Sequence, residues 1–319
     1  MKRLTLLLLV TALALSCSKY AHPVIESLVA EPDSVYPGET VALKFTALHA
    51  NTNDGVSVIW ESEYGKLIVS PNEGTGKPAE WVAPKRPGNY FIKLLIFDNT
   101  LEAPEAIDSV KIVVLDTTGT FIDARDGHQY KWIRIDSQIW MAENLAYLPS
   151  VGPASNTNVL GEFYVYDFEG DNVQYAKFSY NYETYGVLYQ FPTPTGTCPD
   201  GWHLPENREW TFLLSYLGSD IARKLKSTTG WAIDNQGNNG NGDNSSGFNA
   251  LPGGSREYKF VHGGPGSQGM CQLMGKAACF WYQNDLVFYL TDSSYDPNHG
   301  RREGSAYSVR CLSDKRIIK

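Results

Sequence analysis

The sequence predicts an all-β sandwich followed by an α+β domain, behind a short export signal. Three observations carry this. Apolar residues alternate with polar ones, between turn signals, from 24 to about 115. One segment after residue 198 repeats its apolar residues at helical spacing. The first sixteen residues have the charged-then-apolar layout of a cleavable leader.

The leader is Lys2 and Arg3 followed by "LTLLLLVTALAL" and "SC". This run is short for a membrane span. A cysteine directly after Ser16 resembles the lipobox of bacterial lipoproteins. Cleavage over 1–16 would then leave Cys17 as a lipid-modified N-terminus on a linker, 17–23, and membrane contact would run through that lipid. A formal net charge of -8 and the lack of any Lys/Arg-rich run exclude a nucleic-acid footprint.

From 24 to 116 the chain reads as short strands. "TVALKFTAL" places Val41, Leu43, Phe45 and Ala47 on one face, "GVSVIW" brings Val56, Val58 and Trp60, and "GNYFIKLLIF" aligns Tyr90, Ile92 and Leu94. "EPDSVYPGET", "PNEGTGKP" and "APKRPGN" are turns, and "SVKIVVL" closes the segment. Strands at this spacing read as a sandwich. "PGNYFIKLLIFDN" is similar to a strand of bacterial immunoglobulin-like or PKD-like modules, which implies an immunoglobulin-like sandwich serving as a spacer.

After "LDTTGT" the composition changes, and 117–319 reads as the second domain. "YKWIRI" and "SQIWMAENL" flank a turn at Asp136, and "ARDGH" supplies another at Asp126-Gly127. A tyrosine-rich insertion at about 150–190 lacks regular spacing and reads as loops. "CPDGWHLPENREW" (198–210) leads into a helix with Pro205 in its first turn, Glu206 and Glu209 at the positive end of its dipole, and Trp210, Leu213, Leu214 and Leu217 on one face. "SDIARKLKS" is a second short helix. "DNQGNNGNGDNSSG" (234–247) reads as a flexible loop, with Asp234 and Asp243 as weak candidates for binding calcium as a cofactor.

Without Cys17, four cysteines remain, an even number in an exported chain. They permit three pairings. The spacing favours Cys271 with Cys279 and Cys198 with Cys311. No C-x-x-C pair exists and the histidines are dispersed, which argues against zinc.

"DARDGHQYKWIRIDSQIWMAENLAY", "YGVLYQF", "CPDGWHLPENREW", "GFNALPGGSR", "FW" at 280–281 and "YSVRCL" resemble, in that order, the motifs of the Fibrobacter succinogenes major paralogous domain (FISUMP) of exported Bacteroidetes and Fibrobacteres proteins. That resemblance implies a fold distantly similar to the C-type-lectin-like fold shared with formylglycine-generating enzymes, whose "RLPTEAEW" is similar to "HLPENREW". An enzyme of that type would need a close cysteine pair for copper, whereas Cys271 and Cys279 lie eight apart in a Gly-rich segment.

No G-x-S-x-G nucleophile motif is present, and His203 reads as an imidazole packed at the helix start, so no catalytic residue is expected. A lectin-like reading asks for exposed aromatics beside carboxamides and carboxylates. Tyr282, Asn284, Asp285, Arg256, Tyr258 and Tyr289 are the candidates, with the insertion's tyrosines as a further platform. Asn284-Asp285 resembles part of the Trp-Asn-Asp of calcium-dependent lectins, in a different local order. The expected function is a non-enzymatic outer-membrane, cell-surface lipoprotein that binds a polysaccharide or a surface protein. An envelope assembly component is the alternative, and an enzyme distantly related to formylglycine-generating enzymes comes third.

Overall fold

A computed structural model describes residues 22–48, 57–69, 79–97, 104–157, 162–191, 196–233, 237–259, 268–283, 286–291, 294–300 and 304–314. The leader, Cys17, Asp234, Asn284 and Asp285 lie outside the described residues. The chain divides into two compact units, Met1–Asp116 and Thr117–Lys319.

Eight strands build the first unit: β1 (Val24–Glu31), β2 (Ser34–Val35), β3 (Thr40–Leu48), β4 (Ser57–Glu61), β5 (Lys66–Ile68), β6 (Ala79–Val82), β7 (Gly88–Phe97) and β8 (Pro104–Val114). They form two four-stranded sheets, ordered β1-β3-β6-β5 and β2-β8-β7-β4. Both sheets turn alternate residues onto a common core. Val41, Leu43 and Trp81 come from one and Trp60, Ile92, Leu94 and Ile112 from the other. The period-2 alternation of "TVALKFTAL" and "GNYFIKLLIF" is what makes one face of each strand apolar.

The second unit contains β9 (Thr118–Ile122), β10 (Gln129–Ile135), β11 (Gln138–Met141), β12 (Phe163–Tyr164), α1 (Val173–Lys177), α2 (Tyr180–Tyr185), β13 (Leu188–Gln190), β14 (Trp202–His203), α3 (Asn207–Leu217), α4 (Ile221–Leu225), β15 (Gly253–Lys259), β16 (Gln268–Met274), β17 (Ala277–Tyr282), β18 (Leu286–Thr291), β19 (Tyr295–Gly300), β20 (Ala306–Tyr307) and β21 (Leu312–Ser313). Among the described residues it is mostly β. A five-stranded sheet runs β14-β21-β11-β10-β9, and a larger one runs β12-β13-β20-β15-β17-β18-β19, with β16 on β15. The hairpin expected at Asp136 joins β10 and β11, pairing Ile135 with Gln138, and Asp136 takes a positive φ of 50°. Asp is among the few non-glycine residues that accept this conformation.

Helix α3 begins two residues later than the sequence reading placed it. Pro205 precedes the cap, Glu206 is the N-cap, and Glu206 and Glu209 form a reciprocal capping box. Trp210 on its buried face stacks on Phe288 at 4.2 Å and meets Trp140 at 4.9 Å. This helix therefore closes the core between the two sheets.

The insertion differs from the expected loops. Asn172 and Ser179 cap two short helices, α1 and α2, too short to give a periodic signal. Most of its tyrosines face inward, and Tyr164, Tyr182 and Tyr189 are buried.

The described part of the Asn/Gly loop is also packed rather than free. A Cβ at Gly242 would sit 2.4 Å from the carbonyl oxygens of both Arg223 and Lys226, so only glycine permits that approach. Trp231 N–H donates to Asn241 Oδ1 at 3.0 Å, and the Lys226 ammonium donates to the Gly240 carbonyl at 2.5 Å.

Cys198 and Cys311 form the expected disulfide, 113 residues apart. The second pairing does not form, and Cys271 and Cys279 are free. Strand β15 explains this. Cys271 lies opposite Arg256 on one edge of β15, while β17, which carries Cys279, meets the other edge at Gly254 and Ala278. Two strand spacings, roughly 9–10 Å, exceed the Cα separation of about 7 Å that a disulfide spans. Burial pushes the Cys271 thiol up to about 11 and the Cys279 thiol higher still.

Two arginines of the sequence motifs, Arg256 and Arg310, are fully buried among neutral acceptors. Arg310 donates to the Phe248 carbonyl and, at 2.6 Å, to Asn144 Oδ1, and its guanidinium lies 4.5 Å from the Phe248 ring centroid. Burial pulls its pKa down to about 9. Arg256 donates to the carbonyls of Ala154 (3.2 Å), Gly304 (2.6 Å) and Asn156, and stacks 4.2 Å over Tyr164. Each arginine draws distant loops onto one guanidinium fork. Arg310→Met keeps the volume but leaves the Phe248 carbonyl and Asn144 carboxamide buried without donors. It is expected to destabilise the unit by roughly 3 kcal/mol, read as a lower denaturant midpoint with an unchanged m-value.

Candidate functional site

His203 is the first residue to test as a catalyst. β14 pairs with β21, which sets the imidazole between the start of α3 and Asp314. Nδ1 lies 2.6 Å from Asp314 Oδ1 and Nε2 lies 3.0 Å from Glu209 Oε2. Both ring nitrogens face carboxylates, so neither is left to accept a proton from a nucleophile. The hydrogen bond to Glu209 chiefly, and then the one to Asp314, raises the His203 pKa against the opposing effect of burial. For Glu209, burial raises the pKa, but the His203 bond and the Glu206 backbone amide outweigh it and hold the carboxyl below its usual range. The arrangement clamps the start of α3 to the end of the described chain.

Of the residues expected to bind a ligand, the described ones do not come together as a site. Tyr282 and Arg256 are 1% and 0% exposed, core positions rather than surface ones. Tyr282 packs with Phe280 and Phe288, because the alternation that would turn it outward does not apply to β17, whose six residues are all buried. Tyr289 is half-buried against the other core cluster, and Tyr258 is half-buried at the end of β15. Asp243 is held by Arg223 at 3.2 Å and by the Ser245 amide, in a local turn. The described residues hold no cluster of three or more His, Cys, Asp or Glu that would ligate a metal.

A groove of about 680 Å³ does form, on a different surface. The end of β10 supplies Ile133, Arg134 and Asp136; α3 supplies Tyr216; α4 supplies Lys224; and the Asn/Gly loop supplies Asn244 to Gly247. The loop is fixed here. Asp243 N–H donates to the Arg223 carbonyl at 3.0 Å, Ser246 Oγ to the Lys224 carbonyl at 2.7 Å, and Asn249 N–H to Asn244 Oδ1 at 2.8 Å. Gly247, at a φ of 73°, presses against Ile133, where a Cβ would come within 2.8 Å. The Lys224 ammonium reaches the Leu217 carbonyl at the end of α3, 2.5 Å away.

Tyr216 is 57% exposed, and Phe212, one turn earlier on α3, is 44% exposed. The i, i+4 spacing puts both on the outer face of the helix. The signal for them was in the sequence, since 212 and 216 fall off the Trp210–Leu213–Leu217 stripe and place large aromatics where polar residues are usual. A second exposed set, Tyr175, Phe178 and Tyr180, each at least 70% exposed, sits where α1 meets α2.

The family model of the Fibrobacter succinogenes major domain matches residues 133–313, more than half of the chain. The chain belongs to that family. No curated protein matches it. In this Fibrobacter succinogenes major domain, Cys198, His203, Glu209, Trp210, Arg256, Arg310 and Cys311 all lie within the matched span and all serve the fold. The groove under Tyr216 also lies within it, apart from Thr117 at its edge.

The clamp makes stability depend on pH with a definite sign. A raised folded pKa at His203 stabilises the fold below the ordinary imidazole range and is lost as pH rises through the folded value. The depressed Glu209 pKa adds stability above the ordinary carboxylate range that is lost in acid. Melting temperature is expected to fall for the wild type between pH 6 and pH 8.5. For His203→Gln it should change less over the same interval, as read by circular dichroism.

Proposed function

We propose that the chain is a non-enzymatic cell-surface lipoprotein whose C-terminal unit binds a saccharide in the groove under Tyr216. The observation that carries this reading is that groove. Its loop wall is fixed in place, an exposed aromatic flanks it, and hydroxyl, carboxamide, carboxylate and cationic side chains line it, while the reactive-looking motif residues are committed to the fold. Aromatic rings take the apolar face of a sugar, and short polar side chains take its hydroxyls. We read the two β-sheets of the first unit as immunoglobulin-like and the second unit as C-type-lectin-like, with loops around α3 as the binding surface.

A second reading, an assembly component of the envelope, is favoured by the aromatic corner at Tyr175, Phe178 and Tyr180. Such clustered exposed rings mark protein contacts as well as sugar platforms. A glycan array probed with the full chain separates the two. Binding that weakens about tenfold in Tyr216→Ala supports the saccharide reading, and no binding to any polysaccharide overturns it in favour of assembly. For the anchor, Cys17→Ala is expected to move the protein from the membrane to the soluble fraction, and unchanged fractionation would refute lipidation. No helix of the described residues is long and apolar enough to cross a membrane.

A further inference from the structure

The first unit carries a built groove of its own. Between β4, which ends one sheet, and β5, which edges the other, the chain crosses the sandwich through Ser62–Gly65. This crossing is locked from beneath. The buried Trp81 indole donates to the Tyr64 carbonyl at 2.8 Å and to Ser62 Oγ at 3.1 Å. Gly65, at a φ of 76°, lies so close that a Cβ there would sit 2.5 Å from Trp81 Nε1. The Tyr90 hydroxyl donates to the Arg86 carbonyl at 2.6 Å, and its ring packs 5.7 Å from Trp81 and 5.8 Å edge-on to Tyr64. These contacts fix the Tyr64 ring while leaving it 54% exposed.

Phe91, on β7, is 58% exposed and lines the same groove of about 660 Å³. Core packing does not require either ring to face water, since the core-facing residues of β7 are Tyr90, Ile92, Leu94 and Ile96. Around the two rings stand Glu61 and Lys93, directly opposite each other across β4 and β7, together with Glu63 and the Asn89 carboxamide.

We propose that this groove is a second saccharide site, for a neutral hexose- or pentose-based chain. Two exposed rings, Tyr64 held by its neighbours and Phe91 beside it, present faces suited to the C–H side of a sugar ring, each with only two side-chain torsions to order. Two carboxylates, a carboxamide and an ammonium offer both acceptors and donors for hydroxyl groups. The mixed charge of the rim gives no general attraction for a polyanion. A unit read from its sequence as a spacer thereby becomes a binding module independent of the groove under Tyr216.

Affinity electrophoresis of the full chain tests this, in gels containing hydroxyethylcellulose, xylan or mannan. The background is Tyr216→Ala, which disables the proposed C-terminal groove and separates failure of that reading from failure of this one. The Tyr216→Ala chain is expected to be retarded by at least one of the three polymers. Adding Tyr64→Ala and Phe91→Ala should weaken that binding tenfold or more, with a melting temperature close to the parent's because both rings are exposed. Absence of retardation in all three gels overturns the proposal. So does retardation that persists after both changes, or binding of an extended peptide with no polysaccharide bound.

Discussion

Ten consecutive residues, Gly304 to Ser313, are buried, and the second unit is assembled around them. This segment passes from β20 in the larger sheet, where Tyr189 pairs with Tyr307, to β21 in the smaller one, where Trp140 and His203 pair with Leu312. Between these ends its backbone bonds to Cys279 and Trp281 of β17 and to Met141 and Leu145, at and just after the end of β11. Its side chains add the Arg310 fork and the Cys198 disulfide. In a low-dielectric interior each of these groups must be satisfied or its full desolvation cost is felt. These bonds tie the segment to both sheets at once, although Ser305 Oγ and Arg310 Nε stay buried without a hydrogen-bond partner.

That constraint explains why the family's motifs look reactive and act as scaffold. A buried guanidinium, an imidazole between two carboxylates and a disulfide are efficient ways to hold irregular loops when strands are only two or three residues long. Arg256 does for the Ala154–Asn156 loop what Arg310 does for Phe248–Asn249. Chemistry toward ligands is left to surfaces beside this frame. On this account both grooves are built the same way, with glycines and hydrogen bonds fixing a loop and leaving aromatic rings exposed.

Where periodicity was strong, the sequence was readable. The alternating strands β3 and β7, the Asp136 hairpin and α3 appear where their patterns place them, because one face of each must be apolar. The pairing of Cys198 with Cys311 was legible from spacing, but that of Cys271 with Cys279 was not. A short sequence separation says nothing of an intervening strand, and β15 joins the sheet between them from earlier in the chain. Helices α1 and α2 escaped notice because five or six residues cannot show a 3.6-residue period. The burial of Arg256 and Tyr282 was hidden for a related reason. Both residue types suit a binding surface, and only the tertiary fold supplies the carbonyls and rings that make burial favourable. The Tyr216 groove was partly visible, since two aromatics interrupt the polar face of α3, but its opposite wall comes from a loop whose Asn/Gly composition hides how tightly it is packed.

The second unit opens only as a whole, because its last segment carries β20 in one sheet and β21 in the other. Native-state hydrogen exchange at low denaturant concentrations measures this directly. The amides of Ser308, Trp281, Leu145 and Met141, whose bonds run to or from this segment, should exchange at one common free energy. That free energy should equal the global unfolding value and carry its full denaturant dependence. Exchange of these amides at a lower free energy, with weak denaturant dependence, while the amides of α3 stay protected, would show that the segment detaches locally and would contradict the account.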